Sequence, residues 1–436
     1  MMIFSKSKAL QETSHALIPG GCHTYAKGDD QFPESAPAFI ARGEGCHVWD
    51  VDGNEFIEYG MGLRAVTLGH AFKPVIDAAC RQIQLGQNFT RAAPVEVECA
   101  ETLLDLIPAG DMVKFTKDGS TATSAAVRLA RACTGRDMVA ICSDHPFISY
   151  NDWFIGASPM PAGIPAAVRD LTIKFDYNDI ASLQAAFDRH SGKIACVIME
   201  AEKNQPPADD FLHKVQAMCR KNGALFIVDE MITGFRWHLG GAQQYHGLDP
   251  DLSSFGKAIA NGFALSALVG KKEFMIRGGY EHDKERVFLL STTHGAETGA
   301  LAAGIATMNV YRDQQVVEIL YKQGKRLADG INRAISEHQL EGYFGLLGKP
   351  CNLVYSTKDE NKKDSQPFRT LFLQETIKRG LILPSLVISF AHTDADIDRS
   401  VEAIAEALLV YKKALSDGIE KYLIGRPIKP AIRARA

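Results

Sequence analysis

The feature that most constrains this chain is an alternation running from about residue 70 to about residue 300. Short apolar runs rich in Val and Ile recur there, separated by segments of helical length. The clearest are "IACVIME" (194–200), "ALFIVDE" (224–230), "LSALVG" (265–270) and "VFLLS" (287–291). A strand buried on both faces reads as a continuous apolar run, and helix-length crossovers bring successive strands parallel. The pattern therefore predicts an α/β domain with a mainly parallel sheet covered by helices. In such a sheet a ligand lies off the carboxyl ends of the strands. The residues that follow each run are thus where chemistry is expected.

Residues 1 to about 45 read as a short helix followed by an irregular arm. The stretch "CHVWDVDGNEFIEYG" (46–60) places two alternating runs around Asp52-Gly53, a strong hairpin signal. The same string is faintly similar to a calcium loop, but its Gly falls at the wrong position, and no metal is expected. Beyond residue 300 the sequence predicts a long helix and then a smaller α+β C-terminal domain. The tail "GRPIKPAIRARA" is basic and expected to be loose. The division expected is 1–65 for the arm and hairpin, 66–305 for a large ligand-binding domain and 306–436 for a small domain. The chain has 436 residues and a formal net charge of -4, without the basic excess of a nucleic-acid surface. No apolar run approaches a membrane span, and the first residues lack a signal-peptide core. Nine cysteines are scattered with no CxxC pair, which fits a reducing cytoplasm.

Four places offer chemistry. Asp229 ends the run "LFIV"; a carboxylate there is either catalytic or the cap of a turn. Lys257 sits in "FGKAIANG", where small and apolar neighbours surround it. A desolvated lysine gives up its proton more readily and becomes a nucleophilic amine; the alternative is a lysine that snorkels to water. In "FTKDGSTATSAAVRLARACTG" (115–135), Ala122, Ala125, Ala126, Leu129, Ala130 and Cys133 fall on one helical face. That helix opens with Asp118-Gly119-Ser120-Thr121 and stops at Gly135. Free N–H groups, small side chains and hydroxyls make such a start either a phosphate cradle or an ordinary capped helix. Finally, "VFLLSTTHGAETGALAAG" runs from an apolar stretch through hydroxyls into an Ala-rich helix, a second potential phosphate contact. Together these features ask for one ligand with an aldehyde for Lys257, a basic ring nitrogen for Asp229 and a phosphate for the loops. Pyridoxal 5′-phosphate has all three.

With "IPGG", "IARGEGCHVWDVDGNEFIEYG", "TLGHA", "VRLARACTGRD", "VDEMITGFR", "FGKAIANG" and "SFAHTDADID" in order, the chain resembles the class III aminotransferases of the glutamate-1-semialdehyde aminomutase type. The resemblance implies a fold-type I enzyme with a mainly parallel seven-stranded sheet, working as a homodimer with active sites at the interface. It also implies roles. Lys257 matches the Schiff-base lysine, Asp229 the partner of the ring nitrogen, and Met231 the apolar residue behind the ring. Gly119 and Ser120 match the phosphate loop, in which Thr121 replaces a Glu. Glu200 matches a Glu near the cofactor, Phe147 the stacking aromatic, and Thr293 the threonine that reaches the partner subunit's phosphate.

The departures lie on the substrate side. The aminomutases carry a carboxylate-binding Arg in the N-terminal arm; "HTYAK" offers Lys27. Their Ser-Trp after the hairpin becomes "GMGLRA", which introduces Arg64, either a grip for a substrate carboxylate or phosphate or a structural arginine. Their acidic gating residue has no counterpart in "LPSLVISFAHT". The expectation is an aminotransferase exchanging an amine between an amino-acid donor, glutamate foremost, and a keto or aldehyde acceptor such as a modified sugar. The alternatives are a glutamate-1-semialdehyde aminomutase and a catalytically inactive binding protein on the same scaffold.

Overall fold

The computed structural model describes residues 2–145, 147–295 and 297–434 and divides into two compact units. One comprises residues 1–72 and 318–431; the other is formed chiefly by residues 73–317. The N-terminal arm and hairpin, separate from the C-terminal segment in sequence, thus belong with it to one unit.

In the first unit the strands β1 (Ile40–Glu44), β2 (His47–Asp50) and β3 (Glu55–Glu58) form an antiparallel meander. The β2–β3 turn is built around Asp52-Gly53: Asp50 Oδ1 accepts the Asp52 and Asn54 N–H groups, and the Asp52 carboxylate accepts the N–H groups of Lys6 and Ser7. These carboxylates are used in holding the turn.

The second unit carries a seven-stranded sheet. Its members are β4 (Met112–Thr116), β5 (Met138–Cys142), β6 (Thr172–Phe175), β7 (Ile194–Met199), β8 (Leu225–Asp229), β9 (Leu252–Phe255) and β10 (Ser266–Gly270), in the order β4-β10-β9-β8-β7-β5-β6. Every residue of β7 and β8 is buried, as a sheet covered on both faces requires. The run 265–270, read as one of the parallel set, forms β10, which is antiparallel to both its neighbours. The run "VFLLS" is not a strand at all. Val287 and Leu289 are buried, but they pack into the hydrophobic cluster against the Gly119–Thr134 helix instead of pairing with a neighbour. That helix matches its pattern: Ala122, Ala125, Ala126, Leu129 and Ala130 are buried, and Gly135 closes it in the left-handed conformation.

Back in the first unit, β11 (Phe344–Leu347) pairs antiparallel with β12 (Val354–Thr357), and β13 (Leu381–Ile382) extends the meander parallel to β3. The tail is not loose where it is described. Ile428 is buried and its N–H donates to Thr370 Oγ1, while Arg426 donates to the Asp29 carbonyl. Arg435 and Ala436 of that tail lie outside the described residues.

Candidate active site

β4, β7, β8 and β9 run in one direction, so their carboxyl ends share one edge of the sheet. Six of the sequence-derived residues lie at those ends or just beyond them. Asp229 is the last residue of β8 and is 2% exposed. Its Oδ1 accepts two hydrogen bonds at 3.0 Å, from the Met231 N–H and from the Ser254 hydroxyl across the β8–β9 pair. Burial pushes its pKa up to about 7, with the Glu200 charge adding to the rise and the Lys257 charge opposing it. Asp229 thus senses both other ionisable groups of the cluster.

The adjacent Glu230, an equally good candidate by pattern, does something else. Its buried carboxylate accepts the Thr233 hydroxyl and the N–H groups of Ala242 at 2.9 Å and Gln243 at 2.7 Å, which ties down the chain that follows β8.

Lys257 follows β9 after Gly256. It begins a 3₁₀ turn, Lys257–Ala260, with its own φ at 46°. A non-glycine residue in that region is strained, and such residues gather at functional sites. Ala258, Ile259 and Ala260 are fully buried around it, but Lys257 itself is half-buried, less dry than its neighbours suggest. The turn is braced by the Tyr311 hydroxyl on the Ala258 carbonyl at 2.9 Å, and Tyr311 stacks on Phe235.

Met231 packs between two glycines. A Cβ on either Gly119 or Gly256 would stand 2.6 Å from its sulfur, closer than a side chain tolerates. Residue 231 therefore couples the start of the Gly119–Thr134 helix to the turn that carries Lys257. At that start the Asp118 carboxylate caps the N–H and hydroxyl of Thr121. The Gly119 and Ser120 N–H groups have no hydrogen-bond acceptor among the described residues. Two forward-facing donors with small side chains suit an anion. Ser120 Oγ accepts the Tyr150 N–H at 3.0 Å, which brings the 147–151 loop to the same helix start.

Glu200 follows β7 and is 4% exposed. Its N–H donates to His145 Nδ1 at 3.2 Å, and its Oε2 is buried without a hydrogen bond, with Lys203 Nζ 3.9 Å away. Neither Ser254 nor His145 was read from the sequence. The paired serines of "LSSF" inside a buried strand were the available signal for the first; nothing local marked the second.

The remaining residues have no described contact with Asp229, Lys257 or Glu200. Phe147 is half-exposed and meets Phe154 edge-on; Thr293 is exposed. Lys27, exposed, and Arg64, half-buried, belong to the other unit. Arg64 ends four consecutive residues with positive φ: Met61 at 41°, Gly62 at 58°, Leu63 at 57° and Arg64 at 74°. Left-handed backbone costs about 1–2 kcal/mol per non-glycine residue and rarely persists beyond one. Here it is pinned by the fully buried Met61 packed on Val66 and Val387, by the Val66 N–H on the Met61 carbonyl, and by Arg64 Nε on Asn352 Oδ1 at 2.8 Å.

Comparison with known proteins adds identity to this geometry. The class-III aminotransferase family matches residues 28–408. A glutamate-1-semialdehyde 2,1-aminomutase of Acetivibrio thermocellus is 33% identical over 435 residues, covering 93% of this chain and 98% of that one. The PLP internal aldimine form of the FumI protein of Sphingopyxis sp. MTA144 superposes with a TM-score of 0.86 at 27% identity, over 95% of this chain and 98% of that one. A glutamate-1-semialdehyde aminomutase of Pseudomonas aeruginosa PAO1 shares the fold, with a TM-score of 0.80 at 19% identity over 93% and 95% of the two chains. The fold is that of the fold-type I transferases, and the chain belongs to the class-III aminotransferases, enzymes whose cofactor is pyridoxal 5′-phosphate.

Proposed function

We propose that this enzyme is an aminotransferase that moves an amino group from an amino-acid donor, glutamate foremost, to a keto or aldehyde acceptor, with Lys257 and Asp229 as its catalytic pair. The observation that carries the reading is the buried Asp229 carboxylate. Its pKa stands at about 7, with Lys257 as the charge that favours its ionised form. A buried acid at that point calls for a cationic partner, and a protonated ring nitrogen is one.

The other residues fit the same cofactor. The Gly119 and Ser120 N–H groups have no acceptor among the described residues and suit a phosphate. Glu200 presents a buried oxygen without a hydrogen bond. Met231 supplies an apolar surface beside them, and Phe147 is the stacking candidate on the adjoining loop.

When bound, the cofactor supplies an electron-poor ring that accepts the electron pair left by a breaking bond at the substrate carbon. Asp229 holds the proton on the ring nitrogen, and its own orientation is fixed by Ser254 and the Met231 N–H. Lys257 would hold the cofactor through its amine, and its Nζ would carry the proton to and from the substrate carbon. Arg64 and Lys27 are the candidate grips for the rest of the substrate.

We further propose a homodimer in which Thr293 reaches the partner subunit's cofactor phosphate, and a cytoplasmic place of action. The nine cysteines are all free thiols, and no helix among the described residues is long and apolar enough to cross a membrane.

The test is a half-reaction. Mixed with L-glutamate and no acceptor, the enzyme should release one equivalent of 2-oxoglutarate and keep the amine on its cofactor. The second reading, an intramolecular aminomutase, is favoured by the 33% identity to such an enzyme. It requires turnover of glutamate semialdehyde without a keto-acid partner, and that result would replace the first reading.

A further inference from the structure

We infer that Cys46, His47 and Asp396 form a binding site for a divalent transition-metal ion, zinc foremost, in the unit formed by residues 1–72 and 318–431. The inference is independent of the aminotransferase reading, which uses none of the three.

The site starts from a turn. In a regular strand, consecutive side chains point to opposite faces. Cys46 lies instead between β1 and β2, directly after Gly45, whose φ of 58° is left-handed. Its thiol and the ring of His47, the first residue of β2, share one side. They meet Asp396, in the first turn of the Asp394–Asp417 helix. Cys46 Sγ, a His47 ring nitrogen and an Asp396 carboxylate oxygen all lie within 4.8 Å of one another. In tetrahedral zinc the ligand atoms stand roughly 3.3–3.8 Å apart. Small side-chain rotations close that difference.

The donors are already oriented. Asp396 divides its oxygens. Oδ2 accepts the Thr393 N–H at 3.0 Å and the Thr393 hydroxyl at 2.6 Å, as part of the helix cap, while Oδ1 faces His47 Nε2 at 3.0 Å. The cap fixes the carboxylate and leaves Oδ1 for the ion. On the other side of the imidazole, His47 Nδ1 meets Glu55 Oε1 at 2.8 Å. A histidine that binds a metal through one nitrogen almost always gives its other N–H to a carboxylate, carbonyl or water, which fixes tautomer and ring orientation. Glu55, outside the triad, supplies that partner.

The local charge points the same way. Glu55 and Asp396 converge on one imidazole, and neither pairs with a lysine or arginine among the described residues. Cys46 is 1% exposed, while the side chains of His47 and Asp396 are 26% and 15% exposed. An ion therefore enters past the histidine and the carboxylate to reach a thiol shielded from water. Sulfur, imidazole and carboxylate together favour zinc over calcium and magnesium, which take oxygen ligands. Three protein ligands leave a fourth position for water. As the ion enters, the thiol proton and the proton between His47 and Asp396 leave to solvent. The bound ion ties the start of β2 to Asp396, 349 residues further along the chain.

The experiment titrates the reduced holoenzyme, freed of metal by a chelator, with zinc chloride by calorimetry. One equivalent should bind with a Kd of about 1 μM or below and raise the thermal unfolding midpoint. Cobalt(II) in the same site should give a sulfur-to-cobalt charge-transfer band. The band is read as the difference between wild type and Cys46→Ser, so that the cofactor's own absorbance cancels. Cys46→Ser should weaken zinc by at least ~10²-fold, and Glu55→Gln by ~10-fold. Glu55 is exposed, so its variant leaves the fold intact and decides the matter if Cys46→Ser does not fold. Cys80→Ser removes an exposed thiol elsewhere and should bind zinc as the wild type does.

Zinc held equally by the wild type and by the folded Cys46→Ser and Glu55→Gln variants overturns the site, because the ion then sits on the cofactor or on an adventitious surface group. Absence of zinc binding overturns it too, as does a cobalt spectrum without the sulfur band or a loss of binding in Cys80→Ser.

Discussion

Asp229→Asn separates stability from activity in this fold, and in opposite directions. The amide keeps the volume of the carboxylate and an oxygen for the Met231 N–H and the Ser254 hydroxyl, and it cannot ionise. In the cofactor-free protein the folded-state pKa of Asp229 is about 7, against 3.8 as the ordinary value. Between those values the folded state holds a proton that the unfolded chain has released. Raising the pH through that window therefore removes stability, and above about pH 7 the loss is complete. At 1.36 kcal/mol per unit, the full difference is on the order of 4 kcal/mol. The variant escapes it. Urea unfolding of cofactor-free wild type and Asp229→Asn at pH 5 and pH 8 should show the variant gaining on the wild type as pH rises, by on the order of 2–4 kcal/mol at pH 8. The groups that titrate alike in both proteins cancel. With cofactor loaded, the same variant should lose at least ~10²-fold in kcat, because the charge that holds the ring proton is gone. An equal gap at both pH values, or a variant less stable at pH 8, would refute the claim that burial raises this carboxylate.

Lys257→Ala should abolish the lysine-linked absorbance of the holoenzyme and lower kcat by at least ~10³-fold; retention of the band would assign the covalent link elsewhere. Gly119→Ala places a Cβ 2.6 Å from the Met231 sulfur. It should cost about 1–3 kcal/mol and weaken cofactor retention, measured by dialysis, and Met231→Ala in the same chain should restore part of the loss. Glu230→Gln replaces an acceptor needed by the Ala242 and Gln243 N–H groups. It should destabilise by about 1–3 kcal/mol by urea unfolding while leaving the half-reaction with glutamate within a few-fold of wild type. Arg326→Ala breaks an exposed pair with Asp398 and should shift stability by no more than about 1 kcal/mol.

What could be read in the sequence was what local pattern controls. The continuous apolar runs of β7 and β8 gave the buried sheet, the 3.6-residue spacing gave the Gly119–Thr134 helix, and Asp52-Gly53 gave the hairpin. Asp229 was legible because an acid at the end of such a run is conspicuous, but the pattern could not distinguish it from Glu230. Only the hydrogen bonds divide them, Glu230 going to the following backbone and Asp229 to Ser254 on the next strand. The direction of β10 and the absence of a strand at 287–291 depend on pairing partners far away in the chain, which apolarity does not encode. The tuck of Met231 between Gly119 and Gly256 joins three distant segments. The left-handed turn at 61–64 was hidden for another reason: only Gly62 has the chemistry for it, and Met61, Leu63 and Arg64 are held there by tertiary contacts. Phe147 and Thr293 came from resemblance alone, and both lie at the surface.

The sheet order sets the timetable on which this protein can assemble. β4 sits at one edge and its neighbour is β10, so Thr116 waits for Ser266, some 150 residues downstream. At ~5–20 residues per second, a ribosome leaves that strand without its neighbour for roughly 10–30 s. So long-range a closure is also slow to find by diffusion. The segment just beyond β4 supplies the Gly119 and Ser120 donors, so this edge is the last part of the seven-stranded sheet to be completed during synthesis. A nascent chain stalled before residue 266 would present a bare strand edge, the kind of surface that recruits chaperones or seeds aggregation.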